Sequence, residues 1–194
     1  KIRRMKEEWA KDLVAWPWCI SEVIKPHEDC PELLAILDER NKPVIIEDKV
    51  LGILQLNRDF DIFEGAVSWC GTEVILSLEV NPESKSSWSR ARTAAKKLVV
   101  DMENWDKSMR EFAANELTQL ANDWLAQDEE NSCDAKTNPI TEEEFARRIS
   151  MTELTVTSGG SFTAFFDCDE MFADHAVTIY GSLKKGIIGT NIEG

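Results

Sequence analysis

The chain has 194 residues, 43% of them hydrophobic and 30% charged, with seven Trp and eight Phe; this suits one well-buried core, is short for two full domains and excludes compositional disorder. Its net charge is −14, and residues 101–194 carry 19 Asp/Glu against 7 Lys/Arg while residues 1–100 carry 17 against 15, so the acidity is concentrated in the second half. Such a field repels nucleic acid and anionic membrane and steers basic partners toward the acidic face.

Residues 1–43 read as a helical lead-in bearing Trp9, Trp16 and Trp18, with Pro17 interrupting it and Pro31 placed to open a short helix through Leu33, Leu34 and Leu37. Lys1–Lys11 is too charged to begin a signal peptide, and no apolar run approaches the roughly 20 residues that span a bilayer, so a cytoplasmic location is expected. A start at Lys1 rather than Met points to a piece of something longer. Asn41-Lys42-Pro43 breaks the helix, and residues 44–194 are expected to form the principal domain.

From Val44 the pattern becomes extended. Val50–Leu56, Phe60–Trp69 and Val74–Val80 read as three strands of an antiparallel meander, with Cys70-Gly71 as a hairpin turn. After Pro82 the period turns helical: Trp88, Ala91, Ala95, Leu98, Val99 and Met102 share a stripe, with Arg90, Arg92, Lys96 and Lys97 largely off it as an exposed face. A second amphipathic helix runs from Trp105 to Leu125. Gln127–Pro139 reads as an acidic flexible loop. Thr141 with Glu144 forms a capping box and Ile140 with Phe145 a hydrophobic staple, predicting a short helix over Glu142–Ile149. Leu154–Thr157, Phe162–Asp167 and His175–Leu183 read as three more strands, the first two joined through Ser158-Gly159-Gly160-Ser161. The expected fold is α+β: a mainly antiparallel sheet, in two three-stranded stretches, packed by two long amphipathic helices. Its core should contain Phe63, Val67, Trp69, Leu76, Leu78, Trp105, Met109, Phe112, Leu117, Leu120, Trp124, Phe145, Leu154, Phe162, Phe166, Val177 and Ile179.

No catalytic motif accompanies this fold. There is no nucleophile elbow, phosphate-cradling glycine loop or zinc-protease helix, and His27 and His175 are the only histidines. Five cysteines (Cys19, Cys30, Cys70, Cys133, Cys168) form an odd set without C-x-x-C, as reduced thiols do. Neither a catalytic residue nor a cofactor is expected. The densest polar cluster is Asp167, Asp169, Glu170, Asp174 and His175 within nine residues. Oxygen donors so close together suit a hard divalent cation, which makes a metal-dependent hydrolase or metal-regulated protein the alternative reading; the glycine and closing glutamate of a calcium loop are missing, so no metal site is assigned. The leading expectation is a non-enzymatic protein that binds a basic partner through Asp128, Glu129, Glu130, Asp167, Asp169, Glu170 and Asp174.

The run Phe60-Asp61-Ile62-Phe63-Glu64-Gly65-Ala66-Val67-Ser68-Trp69, the following Cys70-Gly71 and Val74–Val80 resemble the bacterial family catalogued as domain of unknown function 2262. Trp105-Asp106 through Trp124-Leu125, Thr141–Phe145, Ser158–Phe166, His175-Ala176-Val177 and Gly189–Gly194 follow in the expected order, so the resemblance covers roughly Val50–Gly194. It implies no activity or catalytic residue. Small acidic α+β proteins of this kind are also similar, in size and charge, to bacterial immunity proteins that neutralise toxins; by that analogy the basic partner would be a toxin such as a nuclease.

Overall fold

The computed structural model describes residues 2–4, 18–20, 30–131 and 139–194, with side chains from 30 to 126 and from 139 to 194. The chain divides after Lys42 into two units. In the first, β1 (Ile2–Arg4) and β2 (Trp18–Ile20) pair antiparallel, so these segments are extended and not helical as the lead-in pattern suggested. Helix α1 (Pro31–Asn41) opens at Pro31, whose fixed φ and missing N–H suit a first turn. Trp9, Trp16 and His27 lie outside the described residues.

The second unit is α+β. Its strands are β3 (Ile45–Asp48), β4 (Gly52–Asn57), β5 (Ile62–Trp69), β6 (Thr72–Glu79), β7 (Ser150–Thr157), β8 (Ser161–Asp167), β9 (Met171–Asp174), β10 (Ala176–Ser182) and β11 (Gly186–Glu193). Eight of these form one sheet in the order β11-β10-β8-β7-β6-β5-β4-β3. Every neighbouring pair is antiparallel except β6 and β7, which run parallel from Ile75↔Glu153 to Glu79↔Thr157. The two expected three-stranded stretches are thus four-stranded each and fuse into a single sheet. The additional strands β3 and β11 are its edges.

Local chemistry explains the turns. Cys70 (φ 48) and Gly71 (φ 88) both take left-handed backbone, as a two-residue turn matched to the twist of β5 and β6 demands. The β3–β4 turn is built on Asp48, whose Oδ1 accepts the N–H groups of Val50 (3.0 Å) and Leu51 (3.3 Å).

Between β6 and β7 the chain crosses over through α2 (Lys85–Val100), α3 (Met102–Asn131) and α4 (Glu142–Arg148). Ser84 caps α2 and Thr141 caps α4 through their side-chain oxygens, the latter accepting the Glu144 N–H at 3.2 Å. α2 packs on β6 and β7, and α3 on β9, β10, β11 and α4. The core lies between helices and sheet, with Phe63, Val67, Trp69, Leu76, Leu78, Leu154, Phe162, Phe166, Val177 and Ile179 buried as the alternation predicts.

On α3 the expected stripe needs correction. Burial follows Met109, Ala113, Ala114, Leu117 and Ala121, whereas Leu120 is 39% exposed and Trp105, Phe112 and Trp124 are only partly buried. Alanines let the helix approach the sheet closely, and the larger residues beside that stripe remain at its flanks. Leu117→Ala should therefore lower unfolding free energy by about 2–4 kcal/mol in chemical denaturation, while Leu120→Ala should lower it by less than about 1 kcal/mol. Equal losses would mean that the helix is rotated. The helix also continues to Asn131, so the acidic run Asp128-Glu129-Glu130 belongs to its last turns and not to a loop beginning at Gln127. The side chains there, and residues 132–138, lie outside the described part.

Two polar networks tie the layers together. Arg110 on α3 donates from Nε to Asp106 Oδ2 (2.6 Å), and from Nη1 to the carbonyls of Ala146 (3.0 Å) and Ile149 at the end of α4. Its guanidinium stands 5.6 Å from the Phe166 ring centroid, while Trp69 Nε1 donates to Asp106 Oδ1 at 3.0 Å. The second network draws two of the four cations assigned to an exposed face inward. Lys96 Nζ (2.7 Å) and Arg92 Nη2 (3.3 Å) both reach Asp48 Oδ2, whose side chain is 2% exposed.

Burial by itself pushes the Asp48 carboxyl up, but the hydrogen bond from Lys96, the two turn N–H groups and the charge of Lys96 outweigh it and hold the pKa down at about 2. A carboxylate depressed from 3.8 to about 2 contributes stability that is present above the unfolded value and lost as pH falls through the folded one. The expected contribution is about 2 kcal/mol at pH 7. Asp48→Asn should remove that part of the acid limb in denaturation midpoints measured from pH 6 to pH 2. An unchanged limb would show that Asp48 is not held as described.

Candidate functional site

The connection from β8 to β10 carries the acidic cluster. It is anchored from beneath by Cys168, Met171 and Phe172, all essentially inaccessible to solvent, with Phe172 meeting Trp124 (5.6 Å) and Phe145 (6.2 Å) edge to face. Because these side chains turn inward, their polar neighbours turn out. Asp167 closes β8 and accepts the Asp169 N–H at Oδ1 (3.0 Å), a local turn that a short carboxylate side chain favours. Asp169 (φ 47), Glu170 (φ 62) and Ala173 (φ 52) follow in left-handed backbone, which costs non-glycine residues about 1 kcal/mol or more each.

Asp167, Asp169, Glu170, Asp174 and His175 line one open cleft of about 510 Å³, together with Thr152, Ala173 and Ala176. Thus four of the seven carboxylates expected on a binding surface share one concave site. Asp128, Glu129 and Glu130 belong to the end of α3, and their side chains lie outside the described residues. One internal counter-charge enters from α4: Arg148 Nε donates to Asp169 Oδ2 (2.9 Å) and its Nη2 to the Asp169 carbonyl (2.7 Å). Sequence reasoning missed Arg148 and Thr152, which come from elements that only the tertiary fold brings to the cleft.

His175 is half-buried, its ring edge-on to Trp124 at 5.5 Å. Nδ1 lies 3.0 Å from the Phe172 carbonyl, an acceptor only, so Nδ1 carries a proton and Nε2 is the nitrogen left to interact elsewhere. Cys168 Sγ donates to the His175 carbonyl at 2.9 Å, and burial, then the nearby Asp167 charge, raises its thiol pKa despite opposing hydrogen bonds. Cys70 is likewise raised, by burial first and then by Asp106 and Glu103. Both shifts run opposite to the lowered pKa that activates a thiolate. Cys30, Cys70 and Cys168 are free thiols.

Among the described residues no three His, Cys, Asp or Glu side chains converge as a metal-ligand set. The five cleft residues thus border a common space without aiming at one point, and Asp169 is already engaged by Arg148. Chemically the cleft offers acceptors: carboxylate oxygens around an open depression suit the donors of an ammonium or guanidinium group.

An α+β sheet packed by helices, with an acidic cleft at one strand end, defines an architecture, not an activity. The family model for uncharacterized proteins conserved in bacteria (DUF2262) matches residues 48–192, and the chain belongs to that family. No curated protein and no solved structure matches it. No helix among the described residues is long and apolar enough to cross a membrane.

Proposed function

We propose that the protein is a non-enzymatic binding protein whose cleft at Asp167, Asp169, Glu170 and Asp174 receives a basic segment of a protein partner. The observation that carries this reading is the concentration of four carboxylates on one cleft with Arg148 as internal counter-charge, in a chain of net charge −14. Exposed carboxylates on a preformed concave surface attract and orient cationic side chains, while the same field disfavours nucleic acid and anionic membrane. Neutralising a basic toxin in the bacterial cytoplasm, as immunity proteins do, is the biological role that fits such a surface. The metal-dependent reading has less support, because the same side chains do not converge on a point.

Capture of the partner from the native host, followed by association kinetics at rising salt, tests this. The association rate should fall at least about tenfold between low and physiological ionic strength, and Asp167→Asn/Glu170→Gln/Asp174→Asn should reduce it similarly at low salt. An acidic partner, or an association rate indifferent to both salt and the triple substitution, would remove the reading.

A further inference from the structure

A second, oppositely charged cleft lies at the other end of β8. Ser89, Arg90, Thr93, Ala94 and Lys97 of α2 face the β7–β8 turn Ser158-Gly159-Gly160 and Leu183 across about 280 Å³. Four of the five basic residues of α2, all but Lys85 at its start, thereby divide into two pairs. Arg92 and Lys96 are bound to Asp48, while Arg90 and Lys97 have no carboxylate partner among the described residues. They are seven residues apart, two helical turns, and so project from the same side of α2. Arg90 spends one donor on Ser86 Oγ (3.3 Å). Its other N–H groups, the Lys97 ammonium and the hydroxyls of Ser89 and Ser158 have no hydrogen-bond partner among the described residues.

The opposite wall is fixed. Thr157 Oγ1 accepts the N–H groups of Gly159 and Ser161 (3.2 Å each), and Thr157 O accepts that of Gly160 (3.0 Å), so the turn is braced from within. Leu183 N–H donates to Gly160 O at 2.9 Å, joining this turn to the β10–β11 turn, where Lys184 and Lys185 are exposed and add positive potential. Ala94 and Leu183 supply an apolar floor.

The geometry points to a binding site for the phosphate group of a small organic phosphate, held by Arg90 and Lys97 with the hydroxyls of Ser89 and Ser158, its organic part against Ala94 and Leu183. Two cations and two hydroxyls match the charge and the acceptor oxygens of a phosphate monoester. The volume is at the small end of ligand pockets, which limits the organic part to a compact group. The net charge of −14 does not forbid this. β8 spans seven residues between the two clefts, about 20 Å of strand, more than twice the roughly 8 Å screening length at physiological ionic strength. The site is independent of the basic-partner reading, which uses the opposite end of the strand.

Amide chemical shifts of the whole chain, titrated with phenyl phosphate, with inorganic phosphate and with sodium chloride at matched ionic strength, test the assignment. Phenyl phosphate should shift Ser89–Lys97 and Ser158–Ser161 saturably with a Kd of about 1 mM, more tightly than inorganic phosphate. Arg90→Gln/Lys97→Gln should weaken it at least about tenfold, while charge-retaining Arg90→Lys/Lys97→Arg retains most of the binding. Both side chains are exposed, and a melting curve confirms that each variant folds. Shifts no different from those in chloride, or saturable shifts that survive Arg90→Gln/Lys97→Gln, overturn the proposal; inorganic phosphate binding as tightly as phenyl phosphate overturns the organic part of it.

Discussion

Replacing Arg110 with Met should lower the unfolding free energy by about 3 kcal/mol, since it breaks a partly buried ion pair while leaving its partner in place. The Asp106 side chain is 13% exposed and would keep its charge without the 2.6 Å contact from Arg110 Nε. The carbonyls of Ala146 and Ile149, which end α4, would lose their donor as well. Methionine preserves much of the length and apolar stem, so the loss reports on polar contacts and not on packing. A double-mutant cycle with Asp106→Asn separates the ion pair from the α4 contacts, provided that the new amide presents its oxygen where Oδ1 stood, so that Trp69 Nε1 keeps an acceptor. A loss below about 1 kcal/mol in urea unfolding would show that water replaces the network at little cost.

Phe172→Ala should have a comparable or larger effect, about 3–5 kcal/mol, because it removes a fully buried ring from between Trp124 and Phe145. Its second consequence is local. Phe172 holds down the connection that displays Asp169, Glu170 and Asp174, and its carbonyl accepts from His175. Hydrogen exchange at Asp169–His175 should therefore accelerate beyond what the drop in global stability explains. Exchange there that tracks the global change alone would mean that the connection is held by its turns.

The elements most legible in the sequence were those whose side chains alternate or recur on one face, such as Val74, Leu76 and Leu78 or the capped helix after Thr141. The first half of β7, Ser150–Glu153, is polar and bulged between Met151 and Glu153, and β11 contains Gly186 and Gly189, so neither presents a clear alternation. The last turns of α3 were hidden because Gln127–Pro139 has little apolar content to carry a helical stripe, and acidic residues such as Asp128-Glu129-Glu130 at a helix C-terminus also oppose its dipole. Size misled at Leu120 and Phe112, where close approach of helix to sheet favours alanine over bulk. The acidic cleft was visible because its carboxylates are neighbours in sequence. The basic one depends on a helix and a turn about sixty residues apart, from Lys97 to Ser158, a separation no local pattern encodes.

The single parallel junction in the sheet governs how the molecule assembles. The strand pairs β3–β4, β4–β5, β5–β6, β7–β8 and β10–β11 join near neighbours in sequence, whereas Ile75 must find Glu153 across the whole helical crossover. Closing so long a loop costs entropy before any of its contacts is formed. Hairpins on either side should thus form more readily, while the seam between β6 and β7 is expected to close late, once α2 and α3 have collapsed onto both halves. Until then the inner edges of β6 and β7 carry unpaired backbone groups, and it is during this interval, more than in the native state, that the chain is open to pairing with the wrong strand of another copy.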